Sequence, residues 1–199
     1  YQVSSNEVQL TITIYLVAIC ISQVFWGPLS DLIGRRIVLI IGASLFSLGG
    51  ILASLNLAFE VFVLFRFLQG IGAAACLSMP RVMLTESYGV KKAASKMSTL
   101  LAFMAIFPIL SASFGGYIGE NYGWQVNFLI LFMFGGIVFL LNYTYSPETI
   151  KNKSKRLTFR TTFLDFRYLF GQTSFLYFAS VSSIQAAFFF SMAGFMPYQ

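Results

Sequence analysis

The chain has 199 residues, of which 57% are hydrophobic and only 10% charged, and its thirteen Lys and Arg against seven Asp and Glu give a net charge of +6. A soluble domain carries about 25% charge, so this one cannot clothe a globular surface, and a mean hydropathy of +0.77 points to the bilayer. Histidine is absent, which removes His-dependent triads, His metal sites and imidazole acid–base work. No nucleophile–base pair or metal cluster replaces them, so the chain reads as a non-enzyme without catalytic residues, metal site or cofactor.

A membrane helix needs roughly 20 apolar residues. Six windows meet that requirement, at 8–27, 37–56, 59–80, 95–118, 124–145 and 173–196. None alternates at period two as a barrel strand would, so the expected fold class is an all-α membrane protein with six transmembrane helices. Cys20 and Cys76 lie inside apolar runs and read as small core residues.

The bases sort by connection. Arg35 and Arg36 follow the first span; Arg81, Lys91, Lys92 and Lys96 surround the third connection; Lys151, Lys153, Lys155, Arg156, Arg160 and Arg167 fill the fifth. The second and fourth connections hold Glu60 and Glu120 and no base. By the positive-inside rule the segments 28–36, 81–96 and 146–172 are cytoplasmic and the N-terminal end lies outside. The +6 is thus topological, and nucleic acid is not expected as a partner; the lipid bilayer is.

The first connection reads Gly27-Pro28-Leu29-Ser30-Asp31-Leu32-Ile33-Gly34-Arg35-Arg36. Pro28 is expected to stop the helix, while Gly27 and Gly34 allow close approach or positive φ. Asp31 is an acid where bases gather, placed to meet a helix N-terminus or Arg35. In the third span, Arg66 is a cation in hydrocarbon, which marks function by default; the alternative is that it snorkels to the outer interface. Gln69 lies one turn on, and Gly70 with Gly72 to Ala75 supplies small residues for close helix contact. All seven acids lie in loops or at span ends, so no carboxylate partner for Arg66 is in view. In the fourth span, Pro108 predicts a kink, and Gly115 and Gly116 would admit a neighbouring helix. The long basic connection 146–172 places Phe159, Phe163, Phe166 and Phe170 on one helical face beside Arg160 and Arg167, which predicts an amphipathic helix on the inner leaflet.

These segments resemble, in order, the drug–proton antiporters of the major facilitator superfamily, in the branch that includes bicyclomycin and chloramphenicol resistance. Gly27 to Arg36 is similar to the loop between helices two and three, Arg66 to Ala74 to the fourth-helix motif associated with proton coupling, and Pro108 to Gly116 to the antiporter signature of helix five. The Trp124 turn and the Ser191 to Gln199 end are similar to the turn into helix six and the outer end of helix seven. Leu32 stands where the family commonly has a base, so a cytoplasmic latch would rest on Asp31, Arg35 and Arg36. The family's second Pro would fall at Ala112.

The resemblance implies a fragment covering helices two to seven of a twelve-helix fold. Residues 1–145 would belong to the N-terminal half, 146–172 to a cytoplasmic linker, and 173–199 to the first helix of the C-terminal half. It further implies a monomeric carrier exporting small amphiphilic substrates against protons, in a bacterial inner membrane. A symporter or uniporter of the same fold, or a membrane receptor or inactive remnant, stays open at this point.

Overall fold

The computed structural model describes residues 5–55, 57–150 and 167–195. Among these it is helical, without strands. Two compact units emerge, Tyr1–Lys155 and Arg156–Gln199. The first holds α1 (Ser5–Ile33), α2 (Arg35–Ser54), α3 (Phe59–Tyr122) and α4 (Trp124–Tyr145). The second holds a helical turn at 167–170 and α5 (Thr173–Phe195). Among the described residues four segments are long and apolar enough to cross a membrane, Glu7–Ile33, Arg35–Ser54, Phe59–Gly89 and Trp124–Tyr145. The windows at 95–118 and 173–195 are helical as well.

The helices outrun the apolar windows that announce them. Pro28 lies inside α1, which continues to Ile33, so the expected stop at Pro28 is corrected. A proline removes one intrahelical hydrogen bond, here the one that would reach the Val24 carbonyl four residues back, and a membrane helix tolerates a single such loss. Just beyond it Ser30 Oγ donates to the Gly27 carbonyl at 2.6 Å. Similarly, the third helix continues past residue 80 to Gly89. Hydropathy records which residues sit in hydrocarbon, whereas helical hydrogen bonding persists into the polar zone.

Single glycines turn the chain. Gly34 (φ 112, ψ 150), Gly89 (φ 70, ψ 159) and Gly123 (φ 88, ψ 151) are the positive-φ residues among those described. All three lie in a region open essentially only to glycine. At Gly89 the break divides α3 into a first arm, Phe59–Gly89, and a second arm, 90–122. The non-helical dihedrals of α3 fall there, and the helix continues through position 108, where sequence predicts the kink. A Cβ at Gly89 would meet nothing within 4 Å, so Gly89→Ala isolates the dihedral penalty. We expect it to cost about 1–3 kcal/mol in thermal unfolding of the detergent-solubilised protein; an unchanged midpoint would sink this account of the corner.

Packing in the first unit is of the membrane type. Leu64 is 61% exposed while Ser30 and Gln69 are fully buried, the inverse of a soluble core. Between helices the contacts are small. Gly72 of α3 faces Gly42 and Phe46 of α2, Gly70 of α3 faces Tyr15 and Ala18 of α1, and Gly135 of α4 faces Phe46 and Ser47 of α2. Polar bonds pin two of these pairs: Trp26 Nε1 donates to the Ile71 carbonyl and Ser47 Oγ to the Phe132 carbonyl, both at 2.9 Å. Around Trp26 gather Val38, Leu39, Ala74, Ala75, Met79 and Met83.

One further expectation changes, and two others are not tested among the described residues. Cys20 is exposed and Cys76 half-buried, both free thiols, so Cys20 is not a core residue. A Cβ at Gly116 would meet nothing within 4 Å, and one at Gly115 only the Asn127 side chain at 3.9 Å. Among the described residues no neighbouring backbone comes that close to the pair. Asn127 Nδ2 instead donates to the Gly115 carbonyl at 3.0 Å. The predicted amphipathic face at Phe159, Phe163 and Phe166 lies outside the described residues. In the second unit Phe170 meets Phe175 edge-on at 6.1 Å.

Candidate functional site

Two clusters in the first unit bring the sequence-predicted residues together. The first surrounds Arg66, about two turns into α3. An arginine there cannot remain bare in hydrocarbon. It donates through Nη1 to Gln69 Oε1, the residue three positions on and so on the same helical face. Its guanidinium carbon lies 4.3 Å from the centre of the Tyr15 ring of α1 and 5.5 Å from that of Phe128 of α4. The sequence offered Arg66 no carboxylate partner, and the partners it has are an amide and two π-faces. Neither ion pair among the described residues involves it.

The surroundings hold these groups in place. Gln69 is fully buried, and a Cβ on Gly49 of α2 would lie 2.7 Å from the Gln69 Cβ. Gly70 is needed because any larger residue would strike α1: a Cβ there would lie 2.6 Å from the Tyr15 carbonyl oxygen. Only a glycine here lets α1 come near enough for Tyr15 to lie over Arg66. Tyr15 also lines a cavity of about 250 Å³ with Phe46, Ala73, Cys76, Leu77 and Phe134.

The second cluster lies where α1 turns into α2. Arg35 Nη2 is 2.6 Å from Asp31 Oδ1 and 3.1 Å from Glu86 Oε1 of α3, and Nε also reaches Glu86 at 3.2 Å. Its Nη1 donates to Ser30 Oγ and to the Gly27 carbonyl. Two arginines opening a helix oppose its dipole, and the carboxylates offset that. Gly34 offers no side-chain cap; instead the Arg35 backbone N–H donates to Glu148 Oε1 at 2.9 Å. Thr149 Oγ1 donates to Glu86 Oε2 at 2.6 Å, and Arg36 Nη2 to the Tyr143 carbonyl at 2.5 Å. The ends of α1, α2, α4 and the first arm of α3 are thereby joined around Arg35 and Arg36.

The expected grouping of Asp31, Arg35 and Arg36 thus also takes in Glu86, Glu148 and Thr149, which sequence reasoning missed. Their signal was present: Glu86 and Glu148 fall, like Asp31, in segments where bases gather. Gly27 contributes only its carbonyl, since a Cβ there would meet nothing within 4 Å. Arg35 is 11% exposed and Asp31 49%, so the two should differ in weight. Arg35→Ala removes the guanidinium from Glu86 and leaves it the Thr149 hydroxyl, and we expect a loss of about 2–3 kcal/mol, whereas Asp31→Asn should cost below about 1 kcal/mol. Thermal unfolding of both variants decides this, and equal small losses would remove Arg35 from the centre of the cluster.

An all-helical bundle with apolar outer faces, small-residue contacts and an arginine inside a span defines an integral, multi-pass membrane protein. The family model of the Major Facilitator Superfamily matches residues 1–199, and the chain belongs to that superfamily. It is 28% identical over 200 residues to the bicyclomycin resistance protein homolog of Haemophilus influenzae, covering 98% of this chain and 50% of the relative. To the multidrug resistance protein MdtM of Escherichia coli K12 it is 30% identical over 173 residues, or 87% of this chain and 42% of that one. To MdtL of Escherichia coli O81 it is 31% identical over 146 residues, 73% and 37% respectively. The chain spans about half the length, or less, of these relatives.

Proposed function

We propose that the protein to which this chain belongs is a secondary transporter exporting small amphiphilic compounds in exchange for protons, by alternating access. The observation that carries this reading is Arg66: a cation inside an apolar helix, held by Gln69, Tyr15 and Phe128 rather than by a carboxylate. A guanidinium so held is free to trade these partners for a carboxylate when one loses its proton, which links its position to protonation. The relatives named for drug and bicyclomycin resistance support export as the direction of transport.

Within this reading the Arg35 cluster is a cytoplasmic latch. Joined through charge-assisted bonds, it holds α1 to α4 as one body that rocks about a midplane site. Pro108, Gly115 and Gly116 serve as the antiporter-like segment. Residues 1–145 belong to the N-terminal half, 146–172 to the linker and 173–199 to the C-terminal half. The setting is a bacterial inner membrane, with 28–36, 81–96 and 146–172 on the cytoplasmic side. The carrier works as a monomer.

The decisive experiment expresses the complete gene in a drug-sensitive strain and measures susceptibility across a panel of amphiphilic compounds, followed by uptake into inverted vesicles under an imposed pH gradient. Raised resistance with gradient-dependent uptake is the expected result. Uptake indifferent to the gradient would overturn proton coupling, and no change in any susceptibility would overturn drug export.

A further inference from the structure

We propose that Tyr15 and Phe128 form a binding site for an organic cation, and that Arg66 occupies it as an internal ligand until such a cation displaces it. Naming that cation as a transported compound rests on the export reading above; the binding itself does not.

The geometry is that of a cation site. A positive group within about 6 Å of a ring centre is drawn to the negative π-face, most strongly where water is excluded. The Arg66 guanidinium meets this condition on two rings at once, at 4.3 and 5.5 Å, and the rings come from two different helices. Both are fixed. Phe128 is held edge-on by Phe62 at 5.3 Å and by Trp124 at 5.9 Å, and those two rings meet each other at 5.6 Å. Tyr15 is carried on the backbone stretch that Gly70 admits to α3.

The occupant is only partly matched to the site. A guanidinium in a low-dielectric interior is ordinarily paired with a carboxylate, and here the ring faces and one amide oxygen stand in for it. Gln69 is fully buried, and its Nε2 has no acceptor among the described residues, so Arg66 satisfies one end of that amide and the other is open there. A π-face does not distinguish guanidinium from another soft cation, but it does distinguish a cation from a neutral molecule. Two like charges cannot share the same pair of rings. Arg66 and an organic cation therefore exclude each other, and the departure of Arg66 toward an acid would admit the ligand.

The test uses the full-length protein in detergent, with tetraphenylphosphonium as the cation probe and N-phenyl-1-naphthylamine as a neutral one, binding being followed by equilibrium dialysis and thermal unfolding in parallel. Arg66→Ala is expected to bind tetraphenylphosphonium about tenfold more tightly than wild type, and Arg66→Lys to bind it as wild type does. Adding Tyr15→Leu or Phe128→Leu to Arg66→Ala should abolish the gain, while the neutral probe responds to none of these changes. Arg66→Gln, which keeps a donor for Gln69 without the charge, repeats the measurement should the alanine variant fold poorly. No gain in either uncharged variant overturns the proposal. So does an equal gain for the neutral probe, which would mean only a vacated apolar space. Failed vesicle export with these binding changes intact would overturn the transport reading alone.

Discussion

Arg66→Ala, made in the full-length protein, is expected to lower export driven by a pH gradient by at least about tenfold, equivalent to about 1.4 kcal/mol or more of lost coupling. The reasoning starts from what the side chain contacts. Arg66 binds Gln69 and the Tyr15 and Phe128 rings, and Gln69 is fully buried with one amide end already open among the described residues. Removing the guanidinium orphans the other end as well, at about 1–3 kcal/mol. Unfolding must therefore be recorded beside transport, so that lost protein is not mistaken for lost coupling. The distinguishing variant is Arg66→Lys, which keeps the charge but lacks the planar fork. It should retain part of the gradient dependence. Undiminished export by the folded alanine variant would return Arg66 to the role of a cation snorkelling to the interface.

The second large effect concerns packing. In a helix interior, glycine to alanine ordinarily gains up to about 1 kcal/mol. At Gly72 the sign should reverse. A Cβ there would lie 2.5 Å from the Gly42 carbonyl oxygen and 2.9 Å from the Phe46 Cα, and against the Phe46 backbone nitrogen. All are main-chain atoms of α2, so relief requires moving a helix rather than a rotamer. We expect Gly72→Ala to destabilise by about 1–3 kcal/mol or more. Gly136→Ala is the matched control, because its nearest atom would be Ser47 Oγ at 4.0 Å; it should be neutral or slightly stabilising. Melting temperatures in detergent report both, and two shifts of the same sign would show that α2 and α3 are not packed as described.

Much of this was legible in the sequence. The apolar windows located the helices, because lipid requires every backbone polar group to be satisfied within its own segment. The motifs located Arg66 with Gln69, and Asp31 with Arg35, because residues three and four apart on a helix are neighbours wherever the helix lies. Both pairs meet in the structure.

The boundaries were not legible in the same way. Pro28 looked like a stop, yet α1 passes through it and turns at Gly34, one of the two glycines read as open to positive φ. A proline withholds one hydrogen bond, a loss that a membrane helix tolerates; a corner needs a backbone conformation that only glycine adopts readily. Composition shows where a helix leaves hydrocarbon, and dihedral freedom shows where it ends.

Unassisted, then, the sequence determined that the chain crosses a membrane by helices and which of its charged residues stand apart from topology. These follow from composition and short-range spacing, which the solvent reads directly. Only the tertiary structure decided the partners. Glu148 caps Arg35 from 113 residues away, Glu86 completes the same cluster from α3, and Tyr15 and Phe128 close on Arg66 from two other helices. No local pattern encodes such meetings, because they depend on how closely Gly42, Gly70 and Gly72 allow whole helices to approach.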